Sequence, residues 1–406
     1  MKILHTADWH IGKRLGNFSR IAEQREVLEE ICEIADEQEV DAVIIAGDLY
    51  DHFNPSNEAE ELFYKTLKRL SKDGKRAVIA IAGNHDSPER IEAPNPLARA
   101  CGILLVGFPD SKVADMSLDS GLKVLQSEEG FVELSLPNQK TPLRLLLTPY
   151  ANEFRLKKYL TDKGKEESKA LRELLQAKWA ELAEKYCDKK GVNLLVAHLF
   201  FMVKGTEAQK EPEGEKVINI GGATAIHTEN IPKQVQYVAL GHLHRYQRLG
   251  EKSCPIVYSS SPLAYSFAEA NQKKYVVIVE AEKGKVVDYT PIALEKGKPL
   301  LRQTCNNVEE AVDWLKENQH ALVELTMFTD DYLSGKERKA LHETHQGIVA
   351  ILPKLREESM TEEEAAYQID LSKDLESLFV EYFQHKNEGQ MPGKDILDLF
   401  REVRGF

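Results

Sequence analysis

The 406-residue chain is poor in cysteine and arranges it in no useful pattern. Cys32, Cys101, Cys187, Cys254 and Cys305 are odd in number and widely spaced, with no CxxC pair. That excludes a disulfide framework and a thiolate zinc ribbon, and suits a reducing, cytoplasmic compartment. Long hydrophobic runs are also lacking: nowhere do about 18 apolar residues follow one another. The opening MKILHTADWH puts Asp8 and His10 where a signal peptide would carry its apolar stretch, so neither secretion nor a membrane partner is expected. No GxxxxGK[ST] loop occurs, so any ATP in the system would belong to a partner. Repeats and low-complexity tracts are absent as well.

Positive charge is in deficit. The formal net charge is -13, which by itself argues against a nucleic-acid partner, because affinity for DNA rests on Lys and Arg neutralising phosphates. The excess is localised, however. Residues 356–381 hold nine acidic residues against two basic ones, more than half of the surplus, and carboxylates that hold metal ions would neutralise part of the rest. Net charge therefore leaves the partner open.

What the chain does have is an ordinary globular composition, 42% hydrophobic and 29% charged, and enough length for two to three domains at about 150 residues each. Apolar runs at 2–7, 41–46 and 77–82 read as strands, separated by helical spacing at 20–39 (Val27, Ile31, Ile34) and 59–70 (Leu62, Leu67, Leu70). This is an α/β pattern with a mainly parallel half-sheet. Further strands are predicted at 103–106, 143–147, 193–197, 235–240, 256–259 and 275–280, a charged helix at 165–186 and a polar loop at 204–216. A Lys-, Gly- and Pro-rich linker near 294–299 precedes a small α/β segment ending near 355. The acidic stretch follows, and then two short amphipathic helices. The first carries Leu375, Leu378, Phe379, Tyr382 and Phe383 on one face, and the second Ile396, Leu399, Phe400 and Val403.

Five motifs each follow an apolar strand: Asp8-Trp9-His10, Gly47-Asp48, Gly83-Asn84-His85-Asp86, Ala197-His198 and Gly241-His242-Leu243-His244. Carboxyl ends of strands line one edge of an open α/β sheet, so these residues can converge on a single crevice. Mixed oxygen and nitrogen donors favour Mn, Fe or Zn over Mg or Ca. Seven potential ligands exceed the need of one ion, so a pair sharing a carboxylate is expected. Two divalent ions offset by two carboxylates and a bridging hydroxide leave one net positive charge, the complement of a phosphodiester. His5 reads as a packed histidine, Trp9 as packing beneath the site, and Arg245 and Arg248 as surface residues.

In their order, DWH, GD, GNHD, a lone His and GHLH resemble the calcineurin-like metallophosphoesterase superfamily. ILHTADWHIGK, VDAVIIAGDLYD, AGNHDSPER, YVALGHLHR and YSSSPL are similar, within it, to the SbcD-type exonuclease subunits of bacterial SbcCD complexes, from Met1 to about residue 290 and more loosely in the tail. The resemblance implies a sandwich of two mixed sheets flanked by helices, with a small α/β capping domain and C-terminal helices. The corresponding domains are a nuclease domain at 1–294, a DNA-facing cap at 300–355, an acidic linker at 356–373 and a tail at 374–406 that binds an SbcC-type ATPase through Leu375, Leu378, Phe379, Tyr382 and Phe383. It implies one metal on Asp8, His10, Asp48 and His244, and a second on Asp48, Asn84, His198 and His242, with Asp48 as the bridge. His85 would be the catalytic histidine that stabilises the phosphate and assists the leaving sugar oxygen, and Asp86 would orient it. The implied activity is Mn2+-dependent 3′-to-5′ exonuclease action on double-stranded DNA and endonuclease action on single-stranded and hairpin DNA. The implied assembly is a homodimer in complex with an SbcC-type ATPase. Two positions depart from the pattern. Ser260 stands where the family's Y-x-G-S-P has Gly, and Asp51 where archaeal members have His, so Asp51 and His52 are left out of the expected site.

Two other readings remain. The same metal chemistry could serve a phosphatase or phosphodiesterase acting on small molecules or phosphoproteins, although GNHD stands where protein phosphatases of the superfamily carry GNHE. A non-enzymatic DNA tether with a decayed site is the third, and the complete ligand set speaks against it.

Overall fold

The computed structural model describes residues 1–156, 167–206, 225–250, 254–329, 333–355, 375–386, 391–393, 396–397 and 400. Up to residue 106, β1 (Lys2–Thr6), α1 (Ile21–Glu37), β2 (Ala42–Ala46), α2 (Asn57–Ser71), β3 (Ala77–Ile81) and β4 (Ile103–Val106) follow in order. The four strands are parallel neighbours, in register such that Thr6 sits beside Ile45 and Ala46 beside Ile81. Because successive strands end level, Asp8, Asp48 and Asn84 leave the sheet along the same edge. Both helices pack on the outer face, burying Leu28, Ile31, Phe63 and Leu67.

A second sheet begins with β5 (Lys123–Glu128), β6 (Phe131–Ser135) and β7 (Leu143–Thr148), which are antiparallel. After α3 (Glu167–Tyr186) come β8 (Val192–His198), β9 (Tyr237–Gly241), β10 (Gln247–Arg248) and β11 (Ile256–Tyr258). Parallel pairing of β8 with β9 puts His198 directly beside Gly241. α3 covers this sheet's outer face through Leu171, Leu175, Trp179 and Leu182. The chain then returns to the first sheet with β12 (Lys274–Glu280) antiparallel to β1, and β13 (Asp288–Leu294) antiparallel to β12. The result is a six-stranded and a seven-stranded mixed sheet face to face, with Ile3, Ile44, Ile79, Leu145, Val196 and Ala239 filling the space between them.

Strand β13 runs through Leu294, where a linker is predicted, and the segment after it is held on α1. The Glu30 carboxylate accepts from the N–H groups of Glu295 and Lys296 at 2.8 and 3.0 Å, and that of Glu23 from Lys298 at 2.7 Å. A small parallel sheet follows, β14 (Leu300–Cys305), β15 (Leu322–Thr329) and β16 (Ile348–Leu355), covered by α4 (Val308–Glu317) and α5 (Gly335–Thr344). It has a core of its own around Leu315, Val323, Leu325, Met327 and Leu341. Leu300 and Leu322 also join Leu15 and Phe267 of the larger body.

Helix α6 (Leu375–Lys386) includes the predicted first tail helix. Its Phe379 stacks on Phe400 at 4.1 Å between ring centroids, while Tyr382 is exposed. The acidic segment 356–373, the loop beyond residue 206, and Leu399 and Val403 of the second tail helix lie outside the described residues.

Candidate metal centre

The candidate residues sit where the edges of the two sheets meet. Hydrogen bonds between the loops fix their alignment. The Asp8 N–H donates to Gly47 O at 3.0 Å, His10 N–H to Asp48 O at 2.9 Å, and His85 N–H to the Asp48 carboxylate at 2.9 Å. At the site, bonds also cross from sheet to sheet: His198 Nδ1 to Ala46 O at 2.9 Å, and the His242 N–H to Asp8 Oδ1 at 2.8 Å. Such close approach leaves no room for a side chain at Gly47, where a Cβ would lie 2.1 Å from the His198 ring and φ is +93°.

Asp8, His10, Asp48 and His242 all occupy the left-handed region, at φ of 55°, 43°, 46° and 106°. Non-glycine residues there cost about 1–3 kcal/mol each, and such outliers gather at functional sites. The surrounding hydrogen bonds hold the strain in place and present the side chains together.

Two sets of donor atoms result: Asp8, His10 and His244, and Asp48, His198 and His242, each lying within 4.8 Å of one another. His10 Nε2 is 3.1 Å from His244 Nε2 and 3.5 Å from Asp48 Oδ2, and His198 Nε2 is 3.2 Å from the same Asp48 oxygen. Asp48 thus faces both sets. Asn84 Oδ1 lies 2.9 Å from His198 Nε2, which brings the amide to the second set. Asp8 Oδ2 and Asp48 Oδ2 are buried with no hydrogen-bond partner. Burial drives the Asp8 carboxyl above its usual range. Burial opposes charge on Asp48 too, but the His198, His10 and His85 rings outweigh it and hold that carboxyl well below its usual range. Burial disfavours the His198 cation, yet the Asp48 carboxylate reverses this and lifts the ring to about 9. Unsatisfied buried carboxylate oxygens among imidazoles are a donor set that fits divalent cations.

All seven predicted ligands come together, and His85 joins them with its ring 4.9 Å from that of His10. The partner that sets this ring is the Asp51 carbonyl, 2.8 Å from His85 Nδ1. Asp86 works on the backbone: its carboxylate accepts from the N–H groups of Gly83, Leu49 and Tyr50 at 2.8, 3.0 and 2.9 Å, tying the Asp48 loop to the His85 loop. Sequence reasoning missed Asp51, which is buried and forms a third donor group with His10 and His85, while Lys13 pairs with it at 2.9 Å. It also missed Arg155, Glu269 and Lys274, whose positions no local motif announces. His5 is a packed histidine, its ring nitrogens 3.0 Å from Tyr237 Oη and 3.2 Å from Leu240 O, with burial lowering it to about 3. Trp9 packs edge-on against Phe63, and Arg245 and Arg248 are exposed.

A buried cluster of this composition at a strand-end rim describes a metal-dependent phosphoesterase. The sequence profile of the calcineurin-like phosphoesterase family matches residues 1–246, and the chain belongs to that family as a metal-dependent phosphodiester hydrolase. Over 410 aligned residues it is 33% identical to the SbcD component of the SbcCD nuclease of Bacillus subtilis, covering 99% of this chain and 97% of that protein, which places it in the SbcD family. The SbcD proteins of Rhodobacter capsulatus and Staphylococcus epidermidis are 31% and 30% identical, covering 74% of this chain and 71% and 70% of theirs. Among solved structures, a dimetal phosphatase from Danio rerio matches 73% of this chain and 99% of its own at 13% identity, with a TM-score of 0.39. Among the described residues, no helix is long and apolar enough to cross a membrane.

Proposed function

We propose that this protein is the nuclease subunit of an SbcCD-type DNA repair complex, cleaving DNA phosphodiesters with two divalent ions, Mn2+ in preference. The observation that carries the reading is the meeting of two donor sets at one Asp48 oxygen, in a chain that matches an SbcD relative end to end. Asp8, His10, Asp48 and His244 would hold one ion, and Asp48, Asn84, His198 and His242 the other. Such a pair would supply hydroxide at neutral pH and positive charge for the phosphate oxygens.

The chain's own groups do the rest. With Nδ1 directed at the Asp51 carbonyl, the ring of His85 would present Nε2 to the phosphate and to the departing sugar oxygen, which needs a proton. The His85 N–H bond to the Asp48 carboxylate makes the bridging residue and the catalytic ring one unit. Residues 300–355 serve as the DNA-facing cap, 356–373 as an acidic spacer, and α6 with the following residues as the segment that binds an SbcC-type ATPase. An apolar face short enough to be marginal alone suits helix-in-groove docking there. The assembly acts in the cytoplasm as a homodimer, with 3′-to-5′ exonuclease and hairpin endonuclease activity.

The test is cleavage of end-labelled linear and hairpin duplexes with Mn2+, Mg2+ or chelator, with and without an SbcC-type ATPase. Mn2+-dependent cutting that becomes ATP-responsive with the partner and falls at least about 100-fold in His85→Ala is expected. Hydrolysis of a small phosphodiester with no DNA cleavage under any condition would move the substrate to small molecules.

A further inference from the structure

We infer that Glu269, held by an ion pair with Lys274, is the positioning residue for His244, and that the pair sets the affinity of the ion position His244 serves; this rests on the two-ion reading above. His244 Nε2 lies on the side of His10 and Asp8, 3.1 Å from His10 Nε2. Its other nitrogen, Nδ1, is 3.5 Å from Glu269 Oε1. An imidazole that ligates through one nitrogen gains basicity and a fixed orientation when the other N–H donates to a carboxylate.

The carboxylate is itself held. Its Oε1 accepts from the N–H groups of Tyr265 and Ser266 at 3.1 and 3.2 Å, and its Oε2 pairs with the Lys274 ammonium. Lys274 Nζ also donates to the His244 carbonyl at 2.8 Å and to Ser261 Oγ at 2.9 Å. His244 is thereby gripped at two points, its ring by the carboxylate and its main chain by the ammonium. Glu269 is 4% exposed and Lys274 6%. A buried ion pair of this kind is weak as a source of stability, because an apolar pair of similar volume often does as well. Its location against a ligand gives it another use. The His10 main chain is steadied from a different side, by Gln24 Nε2 donating to its carbonyl at 2.7 Å, whereas the carboxylate of Glu269 meets the ring of His244.

The experiment is titration of the metal-free full-length chain with Mn2+, followed by calorimetry and by loss of the free-ion electron paramagnetic resonance signal. The wild type is compared with Glu269→Gln, with Glu269→Asp, and with the double variant Glu269→Gln/Lys274→Met, which removes both charges so that neither is left buried alone. Two Mn2+ per wild-type chain are expected. One of them should bind about 10- to 100-fold more weakly in Glu269→Gln and the double variant, the other unchanged, with partial recovery in Glu269→Asp. Wild-type binding at both positions in the variants overturns the inference, as does equal weakening of both positions with a lowered melting temperature, which would mark a general packing role. Fewer than two Mn2+ on the wild type would instead refute the two-ion reading, and the inference with it.

Discussion

Ser260 shows at the scale of one residue how a departure from a motif is accommodated. Its φ is +83°, the conformation that favours glycine, and its hydroxyl offsets the strain by accepting from the Tyr275 N–H at 2.9 Å. Ser260→Gly relieves roughly 1 kcal/mol of left-handed strain and gives up a hydrogen bond of similar worth, so denaturant unfolding should place it within about 1 kcal/mol of wild type. Ser260→Val keeps the strain and loses the bond, and should destabilise by more than about 2 kcal/mol. Asp36 gives a pH dependence far from the site. Burial disfavours its charge, but Lys72, Arg69 and Arg76, at 2.8, 2.6 and 2.9 Å, outweigh it and lower the carboxyl to about 2. A depressed carboxyl stabilises above its unfolded value and loses that contribution as pH falls through its folded value. Asp36→Asn should therefore cost about 1–2 kcal/mol at pH 7, after discounting for partial exposure, with the difference shrinking between about pH 4 and 2. Urea titrations at pH 7 and pH 3 check the sign.

Among the elements, the turn Gly83–Asp86 depends on a residue from another part of the chain. Arg155 Nη1 donates to Gly83 O and Nη2 to Asp86 O, both at 2.7 Å, and the guanidinium lies 4.9 Å from the centre of the Tyr150 ring. Because Asn84 and His85 sit between those carbonyls, Arg155→Ala leaves two buried acceptors unpaired and the turn loose. A loss of about 2–4 kcal/mol in stability is expected, together with a fall in kcat that exceeds any change in KM. Arg155→Lys should recover only part of both, since an ammonium cannot match the fork.

For the whole molecule, the strain at Asp8, His10, Asp48 and His242 and the buried Asp8 Oδ2, which has no hydrogen-bond partner, mean that the folded state should be stabilised by divalent metal. At an Mn2+ concentration 100 times the dissociation constant the gain is about 2.7 kcal/mol, which corresponds to several degrees in melting temperature. Scanning calorimetry with Mn2+ and with chelator measures it, and identical melting in both would contradict a folded-state metal site. The small α/β domain meets the larger body at Phe267, Leu300, Leu322 and Leu15. Phe267→Ala should cost about 3 kcal/mol and hasten proteolysis near the 295–298 segment.

How much of this is legible in the sequence depends on the range of the interactions involved. The strands ending at Asp8, Asp48 and Asn84 follow from local apolar runs and turns, and the order of the five motifs names the ligand set. Strands β5, β6 and β13 are not among the predicted ones: β13 has no buried residue and β5 a single one, so neither carries the apolar run that marks the parallel strands, and the short β6 is defined by its pairing with β5 and β7. By itself the sequence determined the secondary structure of the parallel half-sheet, the donor atoms and the family, because each is written in residues close together along the chain. Only the tertiary structure decided that Asp51 meets His10 and His85, that Arg155 clamps the His85 turn, and that Glu269 and Lys274 hold His244. Those contacts join segments brought together by the packing of two sheets, and no local spacing encodes them.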